Sequence, residues 1–245
     1  MECLILGSGT IIQSDYQRNC SGYLIDRSLL IDCGPGVWKS LGASGISADK
    51  IHTILLTHFH ADHISDLLPF MLARYLSLQD QTTELRIYGP VGLKDWFYHL
   101  GMVAGSWMSD LKVKLNEVTT AFSVDAFDIS PAVTGHTDNS LCYRITGPRN
   151  RVLFYSGDSD YNETLIRQAL QADLCILEAS NTVATKIDGH MTPALAGKIA
   201  RKAGVRHLVL THMYPEVLAI DAEREAASHF DGKITLARDG TNVIF

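Results

Sequence analysis

The chain begins with short apolar runs separated by turns, a pattern that indicates β-strands. Four such runs precede the first long helical pattern, at Cys3–Leu6, Gly22–Ile25, Leu29–Ile31 and Thr53–Leu56. Turn residues separate them at Asp26-Arg27 and Cys33-Gly34-Pro35-Gly36. The pattern therefore predicts a first quarter made of short strands and tight turns.

Later in the chain, apolar runs of strand length alternate with longer segments of helical period. Further strands are predicted at Leu85–Tyr88, Leu111–Val118, Leu141–Ile145, Val152–Tyr155, Leu174–Leu177, His207–Leu210 and Lys233–Leu236. Helices are predicted at Ser65–Leu76, Val91–Leu100, Asn162–Gln171, Pro193–Ala203 and Ala222–Phe230. No repeat or linker divides the chain, so we expect one domain over residues 1–245. Strands and helices in both halves favour two sheets packed face to face with helices outside.

Composition narrows the class of protein. The chain has 245 residues, of which 46% are hydrophobic and 20% charged, so it can bury a sizeable core. No apolar stretch approaches the roughly 20 residues of a membrane span, and the N-terminus lacks the pattern of a signal peptide. Five cysteines without a CxxC pair favour a reducing cytoplasm. The net charge of −6 argues against broad nonspecific binding of nucleic acid but leaves a local basic patch open.

Ligand-type side chains are crowded into TILLTHFHADHISDL, residues 53–67, directly after an apolar run. The segment holds His58, His60, Asp62 and His63, which would be costly to bury without partners. In an extended segment residues two apart point the same way, so His58 and His60 should project together. Asp62 and His63 follow where the chain turns towards a helix. Two ligand sets with different directions suit two neighbouring metal ions better than one.

Other ligand-type residues follow later strands, each beside small residues that let the backbone come close. They are Gly135-His136, Ser156-Gly157-Asp158, Gly189-His190 and Thr211-His212. Two metal ions need about seven or eight protein ligands, and imidazole with carboxylate suits zinc, with manganese or iron as alternatives. The remaining histidines, at 52, 99, 207 and 229, flank strands or fall within helices, where packing is the expected role. Gly7-Ser8-Gly9 opens no helix and is interpreted as a tight turn.

Taken together, THxHxDH, GH, SGD, GH-x-T and THxxP resemble motifs of the metallo-β-lactamase superfamily, particularly its ribonuclease Z and phosphodiesterase branch. LGSGT, the RN-x-SG at 18–22 and the LIDCGPG at 30–36 resemble the opening of that branch, so the match covers nearly the whole chain. The resemblance implies an α/β (α+β) fold, a four-layer αβ/βα sandwich of two mixed sheets flanked by helices. It also implies a dinuclear site along one edge.

The resemblance also implies a role for each ligand-type residue. His58, His60 and His136 would hold one metal ion, and Asp62, His63 and His212 the other. Asp158 would bridge both, since a carboxylate has two oxygens to share. A cysteine at this position would point to β-lactamase chemistry, so Asp158 weighs against an antibiotic-hydrolysing enzyme.

Residues 189–192, GHMT, resemble the branch's His-Ser-Thr element, which places a histidine beside the leaving group. The element favours phosphodiester hydrolysis over the thioester hydrolysis of glyoxalase II. Asp62 would then orient or deprotonate the attacking water, and His190 would contact a phosphate oxygen and protonate the departing alkoxide. Glu178 ends a predicted strand and either orients His190 or a ligand, or is only a strand-end acid.

Two departures bear on the substrate. Bacterial ribonuclease Z inserts its tRNA-binding arm between the histidine of the third motif and the bridging aspartate, but only 21 residues separate His136 from Asp158 here. The last motif also continues with Met213-Tyr214-Pro215 where the branch has a serine and then an Arg-Tyr pair. We therefore expect a small or nucleotide-like phosphodiester substrate and no membrane partner. Transfer-RNA 3′ processing, hydrolysis of an ester, thioester or lactone, a noncatalytic metal-binding role and a homodimer all stay open.

Overall fold

Two seven-stranded sheets lie at the centre of the molecule in this computed structural model, which describes residues 1–12, 18–77 and 83–245. In chain order the strands are β1 Glu2–Gly7, β2 Gly22–Ile25, β3 Leu29–Ile31, β4 Thr53–Leu55, β5 Leu85–Gly89, β6 Val113–Glu117, β7 Phe122–Val124, β8 Phe127–Val133, β9 Leu141–Thr146, β10 Val152–Tyr155, β11 Leu174–Glu178, β12 His207–Thr211, β13 Lys233–Leu236 and β14 Asn242–Ile244. The first sheet has the order β14-β1-β2-β3-β4-β5-β6, and the second has the order β13-β12-β11-β10-β9-β8-β7.

Helices cover the outer face of each sheet. In chain order they are α1 Val37–Ala43, α2 Ala61–Ile64, α3 Leu67–Ser77, α4 Leu93–Ala104, α5 Trp107–Asp110, α6 Glu163–Gln168, α7 Pro193–Ala203, α8 Pro215–Leu218 and α9 Ala222–Ala227. Buried side chains of α1, α3 and α4 pack on the first sheet, and those of α6, α7 and α9 pack on the second. A third apolar cluster fills the space between the sheets. The four-layer αβ/βα prediction is confirmed.

The central strands are buried on both faces, which explains their uninterrupted apolar sequences. β11 and β12 are buried at every position. Truncation of one such side chain, for example Ile176→Ala, typically costs about 2–5 kcal/mol of stability. α7 shows the predicted start: Thr192 Oγ1 accepts a hydrogen bond from the Leu195 amide, and Pro193 occupies the first turn.

Strand direction brings several chain segments to one edge of the molecule. β10, β11 and β12 are mutually parallel. β8 runs antiparallel to β9, and β9 runs antiparallel to β10, so β8 points the same way as β10. The segments that follow β8, β10, β11 and β12 therefore leave the second sheet at the same edge. They carry four of the eight predicted site residues, and the other four follow β4 of the first sheet.

The sequence pattern missed some elements and displaced others. The helix predicted at Ser65–Leu76 is preceded by a separate turn of helix, α2, so Asp62 and His63 are already helical. α1, α5, α8, β7, β8 and β14 were not predicted. No helix of the described ranges is long and apolar enough to cross a membrane.

Candidate metal centre

Eight predicted site residues gather at this edge, although they come from five separate segments of the chain. Three groups of potential ligand atoms each lie within 4.8 Å of one another: His58, His60, His136 and Asp158; Asp62, His63 and His212; and Asp158, His190 and His212. We call the three histidines of the first group the open group, because His60 is exposed and His136 is partly exposed. We call Asp62, His63 and His212 the buried group. Asp158 belongs to neither group and lies between them.

In the open group three imidazole nitrogens converge. Nδ1 of His60 lies 3.0 Å from Nε2 of His58 and 3.1 Å from Nε2 of His136. A single N–H proton can bridge two of these nitrogens. The lone pair of the third nitrogen then faces another lone pair. A cation between the three nitrogens would satisfy all of them, and imidazole is a preferred ligand of zinc.

The buried group presents two imidazoles and a carboxylate. Nε2 of His63 and Nε2 of His212 are 3.4 Å apart, and Nε2 of His212 lies 3.2 Å from Oδ2 of Asp62. Hydrogen bonding to His212, with the charges of His63 and His212, outweighs burial and lowers the pKa of Asp62. Asp62 is therefore ionised and available as a ligand or as an acceptor for water.

Asp158 is the geometric link between the two groups. Its Oδ2 lies 3.7 Å from Nε2 of both His58 and His136, and its Oδ1 lies 3.2 Å from Nε2 of His63. Within the described part of the chain this buried Oδ1 accepts no hydrogen bond. An ionised oxygen buried without a hydrogen bond is costly, so the residues present fit a positive ion on each side of this carboxylate.

Four of the five histidines in the two groups are held from behind through their second nitrogen. The contacts are His58 Nδ1 to Thr57 Oγ1 at 3.0 Å, His136 Nδ1 to the Gly189 carbonyl at 3.1 Å, His63 Nδ1 to Asp32 Oδ2 at 2.8 Å and His212 Nδ1 to Ser180 Oγ at 2.9 Å. Such partners fix the ring and its tautomer, and they accompany metal-binding histidines almost without exception. This arrangement is a second observation that fits a metal centre.

Asp32 is the residue of this site that sequence reasoning missed. It is fully buried directly after β3, and it accepts hydrogen bonds from the Thr57 amide at 2.8 Å and from the Tyr155 hydroxyl at 3.2 Å. Its backbone has φ +54°, an uncommon value for a residue other than glycine. The signal available in the sequence was a carboxylate closing an apolar strand, as in Leu30-Ile31-Asp32.

His212 is strained in the same way and is held by its backbone. Its φ is +53°, and its amide donates a hydrogen bond to the Ser8 carbonyl at 3.0 Å. Residues in this region cost of order 1–3 kcal/mol and persist where the surroundings determine them, often at functional sites. Ser8, in the turn after β1, thus positions a residue of the buried group.

Two glycines permit close backbone approaches at the site. A Cβ on Gly34 would lie 1.9 Å from the Asp62 carbonyl oxygen, so only glycine lets α2 approach this turn. Gly157 has φ +56°, and a Cβ there would lie 2.9 Å from the Leu141 carbonyl oxygen. Gly34 lies against the backbone of Asp62, and Gly157 directly precedes Asp158. Each glycine therefore helps to position an acidic residue of the site.

His190 lies beside the centre and is paired with a buried carboxylate. Its Nδ1 is 3.2 Å from both carboxylate oxygens of Glu178, which also accept from the Ser159 amide at 2.6 Å and the Met191 amide at 3.2 Å. Hydrogen bonding to Glu178 outweighs burial and raises the pKa of His190. Of the two interpretations of Glu178, the geometry agrees with orientation of His190.

The other four histidines take no part in the ligand groups of the described residues. His207 Nε2 contacts Thr235 Oγ1 on the neighbouring strand at 2.9 Å, and His99 Nδ1 contacts the Asp95 carbonyl at 2.7 Å. Burial, with the charge of Lys233, lowers the pKa of His207 to about 4. These contacts agree with the packing role expected for His99 and His207.

The span between His136 and Asp158 contains β9, a tight turn at Pro148–Asn150 and β10, as the sequence predicted. Two of its three arginines are engaged locally. Arg144 donates to the carbonyls of Gln168 and Leu170, and Arg151 pairs with Asp173 at 2.9 Å. No arm projects from this hairpin, which the structure describes throughout.

Comparison with known proteins agrees with these features. Residues 27–213 match the model of a family described as the beta-lactamase superfamily domain. The probable metallo-hydrolase YhfI of Bacillus subtilis is 31% identical over 90% of this chain and 90% of that protein. Ribonuclease Z of Lactococcus lactis is 28% identical over 87% of this chain and 89% of that protein.

Solved structures of similar fold cover the whole chain. The crystal structure of YhfI from Bacillus subtilis superposes with a TM-score of 0.86 at 27% identity, covering 99% of this chain and 98% of that one. The human tRNase Z short form gives a TM-score of 0.79 at 24% identity, covering 100% and 99%. A diphosphatase of the PhnP family gives 0.75 at 22% identity, covering 100% and 97%.

Proposed function

Because the chain belongs to the beta-lactamase superfamily, we propose that it is a dinuclear metal-dependent hydrolase that cleaves small or nucleotide-like phosphodiesters. The observation that carries the proposal is the Glu178–His190 pair, which stands beside the two ligand groups with Nδ1 engaged and Nε2 left for a substrate. A histidine so oriented is suited to acid catalysis at an alkoxide leaving group. The names of two relatives, metallo-hydrolase and ribonuclease Z, support the same class of reaction.

The metal ligands follow from the groups described above. We assign His58, His60 and His136 to one ion and Asp62, His63 and His212 to the other, with Asp158 shared between them. Zinc suits this set of imidazole and carboxylate ligands, and manganese or iron are alternatives. When bound, two such ions supply a nucleophile from water at neutral pH and offset the negative charge of a phosphodiester.

The chain's own residues contribute orientation and proton transfer. Asp62, held by His212, accepts a hydrogen bond from the attacking water and can remove its proton. His190, held by Glu178, hydrogen-bonds a phosphate oxygen and delivers a proton to the departing alkoxide oxygen. The two residues therefore serve opposite sides of the reacting phosphorus, one the entering oxygen and the other the leaving oxygen.

The same geometry favours a small substrate over transfer RNA. A tRNA must be gripped by several cationic side chains away from the scissile bond. In the hairpin at 137–157, Arg144 and Arg151 are engaged in contacts to the protein, which leaves few cationic groups for a tRNA. Transfer-RNA 3′ processing is the second candidate, because a 28% identical relative is named ribonuclease Z.

The first test separates metal binding from chemistry. His190→Ala should leave the metal content near that of the wild type and lower turnover of a diester with a poor leaving group by roughly 10²–10⁴-fold. The loss should be smaller for bis(p-nitrophenyl) phosphate, because p-nitrophenolate leaves without protonation. His99→Ala, on the exposed face of α4, is the matched control and should change neither quantity. Loss of one metal ion in His190→Ala would make His190 a ligand and refute its role as the acid.

A substrate screen decides between the enzyme classes. Metal-loaded protein should cleave cyclic nucleotides or linear diesters faster than a thioester or a lactone, and it should bind precursor tRNA weakly with a shallow salt dependence. Tight, steeply salt-dependent tRNA binding with correct 3′ cleavage would favour the second candidate, and no turnover of any substrate would indicate a noncatalytic metal-binding protein.

The five cysteines are buried free thiols, which is consistent with a cytoplasmic location.

A further inference from the structure

A cavity on the other side of the His212–Ile220 segment contains none of the candidate metal ligands. Its volume is about 460 Å³, and it is lined by Arg18, Val217, Leu218, Ile220, Leu236, Arg238 and Asp239. Pockets that hold small organic ligands typically measure about 300–1,000 Å³. The lining combines four aliphatic side chains with two guanidinium groups.

Among the described residues, neither arginine is paired with a carboxylate. Nη1 of Arg18 donates to Ser8 Oγ at 2.7 Å and to the Ala237 carbonyl, and no ion pair of Arg18 or Arg238 is found within residues 1–12, 18–77 and 83–245. Asp239 lines the same cavity, but its two oxygens accept from Ser8 Oγ at 2.7 Å and from the Asn19 amide at 2.6 Å. These donors are neutral, so Asp239 keeps its negative charge, and the cavity lining holds two guanidinium groups and one carboxylate.

Burial makes the positive charge of Arg18 costly to hold without an anion in direct contact. Its side chain is half-buried, and burial lowers the pKa of the guanidinium although Asp239 opposes the change. A guanidinium presents donors in a planar fork that matches the oxygens of a phosphate group. Two such groups against one carboxylate leave the lining positive and favour an anionic group, while Leu218, Ile220 and Leu236 favour a flat body attached to it.

We propose that the cavity between α8 and β13 is a binding site for a phosphate monoester whose organic part presents a flat ring face, such as the base of a nucleoside monophosphate. The phosphate lies between Arg18 and Arg238, and the organic part lies against the aliphatic wall. The proposal does not depend on the proposed hydrolytic function, since a chain that cleaved no diester could still bind this ligand.

Hydrogen bonds connect the proposed ligand site to the metal centre. Ser8 receives a hydrogen bond from Arg18 through its hydroxyl, and its carbonyl accepts from the strained backbone of His212 at 3.0 Å. A phosphate that binds Arg18 therefore contacts the residue that fixes Ser8. The site is adjacent to the buried group but separate from the ligands themselves.

Equilibrium dialysis of labelled AMP against the metal-loaded protein tests the proposal. Wild-type protein should bind one more equivalent of AMP than the Arg238→Gln, Ile220→Glu double variant, which removes one positive charge and adds a negative one at the cavity. Arg238→Gln alone should weaken this additional equivalent by about tenfold or more, the usual effect of losing one charge-assisted hydrogen bond. Arg201→Gln, an exposed arginine on α7, is the matched control and should bind AMP as the wild type does.

Two further ligands test the two halves of the site. Inorganic phosphate and adenosine should each bind the cavity at least about tenfold more weakly than AMP, because each lacks one of the two contact regions. Equal binding of the wild type and the double variant would overturn the proposal. Equal affinity for AMP and adenosine would also overturn it, since the arginines would then contribute nothing. His190→Ala changes no residue that lines this cavity, so failure here is distinguishable from failure of the proposed function.

Discussion

The buried group and the open group offer the same kinds of side chain but are held very differently. In the buried group His63 is fully inaccessible, and its ring is fixed by a carboxylate that also accepts hydrogen bonds from Thr57 and Tyr155. In the open group His60 is exposed and reaches the centre from the start of α2. The difference indicates a rigid, enclosed site beside a more accessible one. We therefore expect the tighter ion in the buried group, and ion exchange and substrate entry at the open group.

The largest effect should come from the residue that the two groups share. Asp158→Ala should lower the affinity for both ions, because the carboxylate that separates two facing positive charges is then absent. The loss of affinity should exceed the roughly 10–100-fold typical of losing a partner behind a ligand. Inductively coupled plasma mass spectrometry after dialysis against a chelator measures it. Asp160→Ala is the matched control, because that carboxylate pairs with Lys186 instead. Two ions held with unchanged affinity would show that Asp158 does not bridge.

A smaller and one-sided effect should follow from the partner behind His63. Asp32→Asn keeps the shape of the side chain but removes the charge that faces His63 Nδ1 at 2.8 Å. The affinity of the buried group should fall about 10–100-fold, while that of the open group stays near the wild-type value. Competition with a chromophoric chelator resolves the two ions. Tyr155→Phe, which removes one 3.2 Å hydrogen bond to the same carboxylate, should cause a weaker loss. Equal weakening of both ions would mean that the two groups are not independent.

The contrast between the groups could not be predicted from the sequence, although the ligand-type residues could. Each of those residues follows an apolar strand, and strand ends of one direction meet at one edge of a sheet. Asp32 and Ser180 also follow strands, but the rings that they orient come from other segments, at His63 and His212. Their role depends on how β3 approaches β4 and how β11 approaches β12, which local patterns do not contain.

The failure to predict β8 and α1 also has a structural explanation. β8 contains Pro131, and a proline in an apolar run argues against a central strand. In the structure β7 pairs only with the first residues of β8, as far as Ile129, so Pro131 has no ladder partner on that side. α1 was missed because its apolar residues follow Gly34-Pro35-Gly36 and are interrupted by Gly42. Proline and glycine concealed both elements in the sequence, whereas strand pairing stabilises β8 and packing of Val37 and Leu41 stabilises α1.

The smallest effect concerns the protonation of two histidines in the chelated protein. Burial, reinforced by the charge of His63, lowers the pKa of His58 to about 2. Burial acts the same way on His63, but the carboxylates of Asp158 and Asp32 outweigh it and raise the pKa of His63 well above its usual value. Near pH 6 the folded, metal-free protein should therefore carry a proton on His63 and none on His58. Unfolded histidine titrates near about 6.5.

The two rings consequently contribute to stability in opposite pH ranges. The stability contributed by protonated His63 is complete below about pH 6.5 and is lost as the pH rises through the raised pKa of His63. The stability contributed by neutral His58 is present above about pH 6.5 and is lost as the pH falls towards the lowered pKa of His58. Metal binding to the buried group must also displace the proton of His63, so its affinity should rise more steeply with pH than that of the open group. Nitrogen chemical shifts of ¹⁵N-labelled histidine in the chelated protein, recorded from pH 5 to 8, measure both protonation states. If His58 and His63 titrate together, the enclosed and accessible groups do not differ electrostatically, and the comparison between them fails.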